Sequence, residues 1–296
     1  MKLTNLAKNV IAASALAVAS FGANASVIAE AAVDVKGLTV SIYDENQDQL
    51  LPLPNPGGFG LSNVGISFNG TDVSTTLNGN TEGSSFGTLI TNPFASLAVD
   101  LNSNQTDGTS NSDAHSGITG NIFAVGGANG STKGSVGVYG NSSADANSQI
   151  INNLEASFTF GTTVTGFAKI NFDWLLDTYV SVFDQGGEGV ADWGLTIVLK
   201  EKSCTGFSCS PLYAFDMTAN LPSQTGTQNK IGDLWDADTG GSIDSGFIAL
   251  DSNVVYVLEI AQSSNAAALS VPEPASVAIL GLGLLGLAGA SRRRNS

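Results

Sequence analysis

The sequence has 296 residues and a formal net charge of −15, enough chain for one large domain or two small ones. Residues 26–270 hold every acidic residue except Glu273 and no arginine, a balance that repels nucleic acid and anionic lipid and suits a soluble exported protein. Charged residues are only 12% of the chain, beside 35 glycines and many Asn, Ser and Thr; this argues against a mainly helical domain and for strands joined by turns.

Lys2 and Lys8 precede an apolar run from Val10 to Phe21, and Ala23-Asn24-Ala25 follows. A charged start, a short greasy helix and an A-x-A site predict a secretory signal cleaved after Ala25, within a targeting segment of residues 1–25. The run is short for a membrane span. The next stretch, "AAVDVKGLTVSIY" from Ala31 to Tyr43, predicts one strand or two. "LPLPNPGGFG" after it is too rich in Pro and Gly for helix.

From Leu61 to about Asn147 short apolar islands alternate with polar runs, which predicts short strands between long loops. "LNSNQTDGTSNSDAHSG", residues 101–117, reads as a mobile surface loop. It contains His115, the only histidine, expected to be exposed. The clearest strand signal runs from Leu154 to Trp174. Ala156, Phe158 and Phe160 alternate with polar residues, and Val164, Gly166, Ala168, Ile170, Phe172 and Trp174 continue with period two, as in a sheet with one buried face. Further strand-like segments follow up to "NVVYVLEIA". With no amphipathic helix between them, the expectation for residues 26–262 is all-β: an antiparallel, jelly-roll-like β-sandwich.

The two cysteines, Cys204 and Cys209, favour a local disulfide in an exported chain. A metal site would need about four ligands, and the only histidine is far away in sequence. "DLWDADTGGSID" holds Asp233, Asp236, Asp238 and Asp244. The pattern departs from an EF-hand, whose closing glutamate would fall at Phe247. A solvated acidic turn is the first expectation there, and a calcium site the second; no other cofactor is expected. No nucleophile–histidine–acid signature is present. Asp173, Asp177, Asp184, Glu188 and Asp192, near Trp174 and Trp193, leave glycan hydrolysis or sugar stacking open as alternatives.

"SSNAAALS", residues 263–270, reads as a linker. Residues 271–296 form the tail. Ala275 to Ala290 is uncharged, about 24 Å long as a helix, and Arg292, Arg293 and Arg294 follow. The arginines would stay on the cytoplasmic side, which places residues 26–270 across the membrane, in agreement with the signal segment. Pro274 suits the first position of this transmembrane helix. Pro272 and Pro274 keep the residues before them extended, a form that processing enzymes bind.

Val271-Pro272-Glu273-Pro274, the Gly/Leu-rich helix and the arginine cluster together resemble the PEP-CTERM sorting signal. The resemblance covers about 26 residues of 296. It implies cleavage near Glu273 and Pro274 by exosortase, a membrane-embedded enzyme of Gram-negative bacteria that make extracellular polysaccharide and biofilm. The protein would be anchored transiently, then released or passed to the cell surface. The resulting expectation is a non-enzymatic surface or matrix protein, structural or adhesive, with extracellular polysaccharide as a partner. A carbohydrate-binding module and a secreted glycan hydrolase are the alternatives.

Overall fold

The computed structural model describes residues 26–51, 59–90, 94–140, 142–160, 165–183, 187–203, 210–216, 226–228 and 233–270. The expected signal segment with Ala23 and Ala25, the cysteine pair Cys204 and Cys209, and the tail from Val271 through Arg294 lie outside these residues. Among the described residues no helix is long and apolar enough to cross a membrane.

Strands are numbered in chain order. One sheet runs β13 (Asp233–Asp244), β9 (Thr165–Val182), β1 (Ser26–Tyr43), β7 (Ala128–Tyr139), β6 (Asn111–Gly120) and β5 (Leu97–Thr106). In the same sheet β14 (Ile248–Asp251) pairs with β9, and β2 (Gln49–Leu51) with β1. The other sheet runs β11 (Tyr213–Asp216), β10 (Glu188–Glu201), β15 (Val255–Leu269), β8 (Ser143–Phe160), β3 (Phe59–Leu77) and β4 (Asn80–Ile90), with β12 (Gly226–Gln228) on β10. Each of these pairings is antiparallel. The all-β expectation therefore holds as two antiparallel sheets packed face to face.

The strands are longer than the sequence pattern predicts. β1 begins at Ser26, not near Ala31, and is 18 residues long. Val27, Ala29, Ala31, Val33 and Val35 point inward, then Leu38, Val40 and Ile42 do. The change of parity is a β-bulge. The register slips by one residue against both neighbours at Lys36 and Gly37. Gly37 takes a φ of +61°, open to glycine at little cost. Its N–H is held by Asn129 Oδ1 at 2.9 Å.

The core has two parts of different chemistry. Toward the end where β1 finishes, Phe158, Phe160, Phe172, Trp193, Tyr256 and large aliphatic residues fill the space between the sheets. Toward the end where β1 starts, the filling is Val27, Ala29, Ala31, Ala114, Val136, Ala144, Ala146, Ala191, Ala266 and Ala268. There a Cβ added to Gly134 would sit 2.6 Å from the Ala146 carbonyl oxygen and 3.2 Å from the Ala266 nitrogen. Small inward residues thus let the two backbones approach closely.

Between and among these groups lie buried hydroxyls and the buried amides of Gln105, Asn121 and Gln262. Thr75 Oγ1 and Ser103 Oγ are 2.7 Å apart, and Thr132 Oγ1 and Ser264 Oγ 2.8 Å apart. Gln262 Nε2 donates to the Val33 carbonyl at 2.6 Å. Ser112 and Ser148 donate to the backbone carbonyls of Asp145 and His115. These partners offset the cost of taking polar groups from water. Among the described residues Thr71 Oγ1, Ser116 Oγ and Trp174 Nε1 are buried with no partner.

Two expectations are corrected by this polar interior. Residues 101–117 are not a loop: β5 and β6 form a hairpin around a tight turn. Asp107 Oδ1 accepts from the N–H groups of Thr109 and Ser110 at 3.0 and 2.7 Å in that turn. Residues 263–269 are not a linker: they are the last turns of the β15 pleat, with Ser264, Ala266 and Ala268 facing inward. In both places the inward side chains are Ala and Ser, joined by Gln105 in the first, so hydropathy does not alternate although burial does.

Candidate functional site

The outer face of the β1 sheet carries a cluster of carboxylates. β13, expected as an acidic turn, is a strand lying along β9, with Asp238 directly opposite Asp177 and Asp236 opposite Tyr179. Side chains directly opposite share one face of a sheet. The carboxylates of Asp177, Asp236 and Asp238 therefore converge, with one oxygen of each within 4.8 Å of the others. Asp236 and Asp238 are exposed and Asp177 half-buried.

Of the four carboxylates expected as one metal set, only these two come together, and Asp177 is the third member that local sequence did not reveal. Asp244 lies at the other end of β13 and pairs with Lys169 at 2.7 Å. Asp233 begins β13 opposite Val182, eleven residues from Asp244 along the strand. Three carboxylate oxygens are half or fewer of the six to eight that calcium takes. The trio can hold a divalent cation only with water completing its shell.

The electrostatics follow from the crowding. Burial raises the Asp177 pKa, and the hydrogen bond and charge of Asp238 raise it further, with Glu30 adding to the effect and Lys133 opposing it. The adjacent carboxylate thus disfavours the charged form of Asp177. Glu30 is engaged elsewhere: Lys133 Nζ lies 2.6 Å from its Oε1, and Ser135 Oγ donates to its Oε2 at 3.3 Å. Further along the same face His115 Nε2 meets Asp100 Oδ1 at 3.0 Å. The histidine expected in a loop is a strand residue of β6 with a fixed acidic neighbour.

The other candidate carboxylates do not assemble. Asp173 lies on the outer face of the β1 sheet and accepts from Ser242 Oγ at 2.5 Å. Asp192 lies on β10 in the other sheet and accepts from Asn265 Nδ2 at 3.2 Å. Glu188 opens β10 opposite Leu269, and Asp184 lies outside the described residues. Trp193 is buried, and Trp174 packs against the core with its indole nitrogen sealed beside Gly241. Trp193 presents no ring for stacking on sugar, and Trp174 is half-buried.

One end of the sandwich collects the first and the last of the described residues, Ser26 and Ser270. Ser26 starts β1 opposite Tyr139, and its carbonyl accepts from the Phe183 N–H at 2.9 Å. Leu269 ends β15 between Ser143 and Glu188. Ser270 is fully buried: its N–H donates to the Ser142 carbonyl at 2.9 Å and its Oγ to the Gly140 carbonyl at 2.6 Å. The fold is therefore tied down up to the residue before Val271.

The molecule so defined is a two-sheet antiparallel sandwich whose described residues end at Ser270, and the C-terminal segment behind it has a sequence character of its own. That segment is a sorting signal: residues 270–294 match the PEP-CTERM protein-sorting motif. The motif indicates an exported protein, transiently anchored in the membrane and processed by exosortase. No curated protein and no solved structure matches the chain.

Proposed function

We propose that this is a non-enzymatic surface or matrix protein of a Gram-negative bacterium, structural or adhesive in biofilm or extracellular polysaccharide, delivered by its sorting tail. The observation that supports the reading is the sorting motif at residues 270–294 directly behind a long-stranded sandwich. Exosortase would cut the tail and free the sandwich to join the surface layer.

The experiment has two arms. The intact mass of the protein from host cells with exosortase should start near Ser26 and end near Pro272–Pro274; without the enzyme it should retain Arg292 to Arg294. A retained tail in both hosts would overturn the sorting step. Deleting the protein should weaken biofilm cohesion, and chains carrying Asp173→Asn, Asp177→Asn or Asp192→Asn should each restore it. Failure of one of these, with matrix hydrolysis lost alongside, would overturn the non-enzymatic reading in favour of a glycan hydrolase.

A further inference from the structure

We infer that the end of the sandwich formed by Tyr139, Phe183 and Leu269 is a lipid-facing surface that rests on the outer leaflet while the tail is in the membrane. The inference rests on the anchoring reading of the tail. Its first support is chain length. Ser270 is fixed inside the fold, and the apolar run begins at Ala275. Five residues reach at most about 17 Å even when fully extended. The headgroup layer is itself roughly 5–7 Å deep on each side of the hydrocarbon. With residues 275–290 in the bilayer, the end of β15 lies within about 10 Å of the headgroups.

The second support is what that end displays. Tyr139 is 41% exposed, Phe183 55% and Leu269 45%. All three surround the exit: Tyr139 is opposite Ser26, Phe183 is bonded to Ser26, and Leu269 immediately precedes Ser270. An aromatic ring with a polar edge suits the boundary between headgroup and acyl chain. Other large apolar side chains are exposed at the far end, Val125 and Phe247 among them, but they have no tether to hold them against lipid.

Three side chains are too little apolar surface to bind a membrane from solution. A short tether changes this by making the second contact intramolecular, with a high effective concentration. The same weakness makes the contact reversible. Once the chain is cut near Glu273 the tether is gone, and the face lets go. The acidic sandwich then has no attraction to anionic lipid to hold it back. The partner is accordingly a zwitterionic phospholipid surface.

The test uses the full chain from a host without exosortase, in a Cys204→Ser, Cys209→Ser background, reconstituted into phosphatidylcholine vesicles that carry a headgroup quencher. A fluorescent label goes on Asn80→Cys at the exit end or on Ala124→Cys at the far end. Strands of 18 residues separate the two ends by about 50 Å. The Asn80 label should be quenched several-fold more than the Ala124 label. Tyr139→Ser, Phe183→Ser and Leu269→Ser together should at least halve that contrast, while Val125→Ser with Phe247→Ser should leave it unchanged. Circular dichroism checks the fold; if the triple variant fails it, Phe183→Ser alone serves, with a smaller drop expected. An unchanged contrast in the folded variant, or equal quenching of both labels on a chain that floats with the vesicles, would overturn the lipid-facing surface alone. A chain that does not float with the vesicles would overturn the anchoring reading and the surface with it.

Discussion

Gly134→Ala should destabilise the protein although it adds a single methyl group and favours extended backbone. Gly134 lies on β7 and faces β8 and β15 across the narrow half of the core. Removing glycine from a strand ordinarily stabilises by about 0.5–1 kcal/mol, because the unfolded chain has less freedom to lose. Here the new Cβ would lie 2.6 Å from the Ala146 carbonyl oxygen, and that atom belongs to a paired strand. The sheets must part, an overpacking cost of about 1–3 kcal/mol that outweighs the entropic gain. With a urea m-value of about 3 kcal/mol/M, the unfolding midpoint should fall by up to about 1 M. Trimming the facing side chain with Ala146→Gly should not restore it, because the obstacle is backbone. Gly189→Ala is the contrasting case. Its Cβ would meet the Val180 and Val27 methyls at 2.6 and 3.0 Å, so Val180→Ala should couple favourably with it in a double-mutant cycle. Equilibrium urea unfolding measures the wild type and the five variants. A neutral or stabilising Gly134→Ala, or its rescue by Ala146→Gly, would refute the close approach of the sheets.

Four other outcomes are expected. Val35→Ile extends a side chain lining an apolar cavity of about 70 Å³ between the sheets; it should raise stability by about 0.5–1 kcal/mol in a thermal scan. Gln262→Leu removes the buried amide from the Val33 carbonyl and from Thr132; it should cost about 1–3 kcal/mol by denaturant titration. Asp177→Asn should stabilise at pH 7 and change little at pH 3. The folded pKa is raised above 3.8, so the penalty for the charged form is absent below 3.8 and grows as pH rises through the raised value. Asp107→Ala should do the reverse. The Ser110 and Thr109 N–H groups hold the Asp107 pKa at about 2, so its contribution is full above 3.8 and lost as pH falls toward 2. Unfolding midpoints at pH 2, 3, 5 and 7 separate the two carboxylates.

The sequence by itself determined the all-β class and the sorting tail, since each rests on local chemistry. Prolines beside a glutamate, an apolar run after them and arginines behind it carry their meaning in order alone. The alternation of Ala156, Phe158, Ala168, Ile170 and Phe172 is legible for the same reason: large apolar residues every second position leave one solution for which side is buried. Only the tertiary structure decided the status of residues 101–117 and 263–270. Their inward positions carry Ser112, Ala114, Ser264, Ala266 and Ala268, which read as polar or neutral until a closely set opposite sheet supplies hydrogen-bond partners to the serines and excludes anything larger. The acidic trio is of the same kind. Asp177 and Asp238 are far apart in the chain and meet because β13 pairs with β9 in one register. A slip of one residue would turn Asp236 and Asp238 toward the core, so the side chains buried along β9 set which carboxylates face each other.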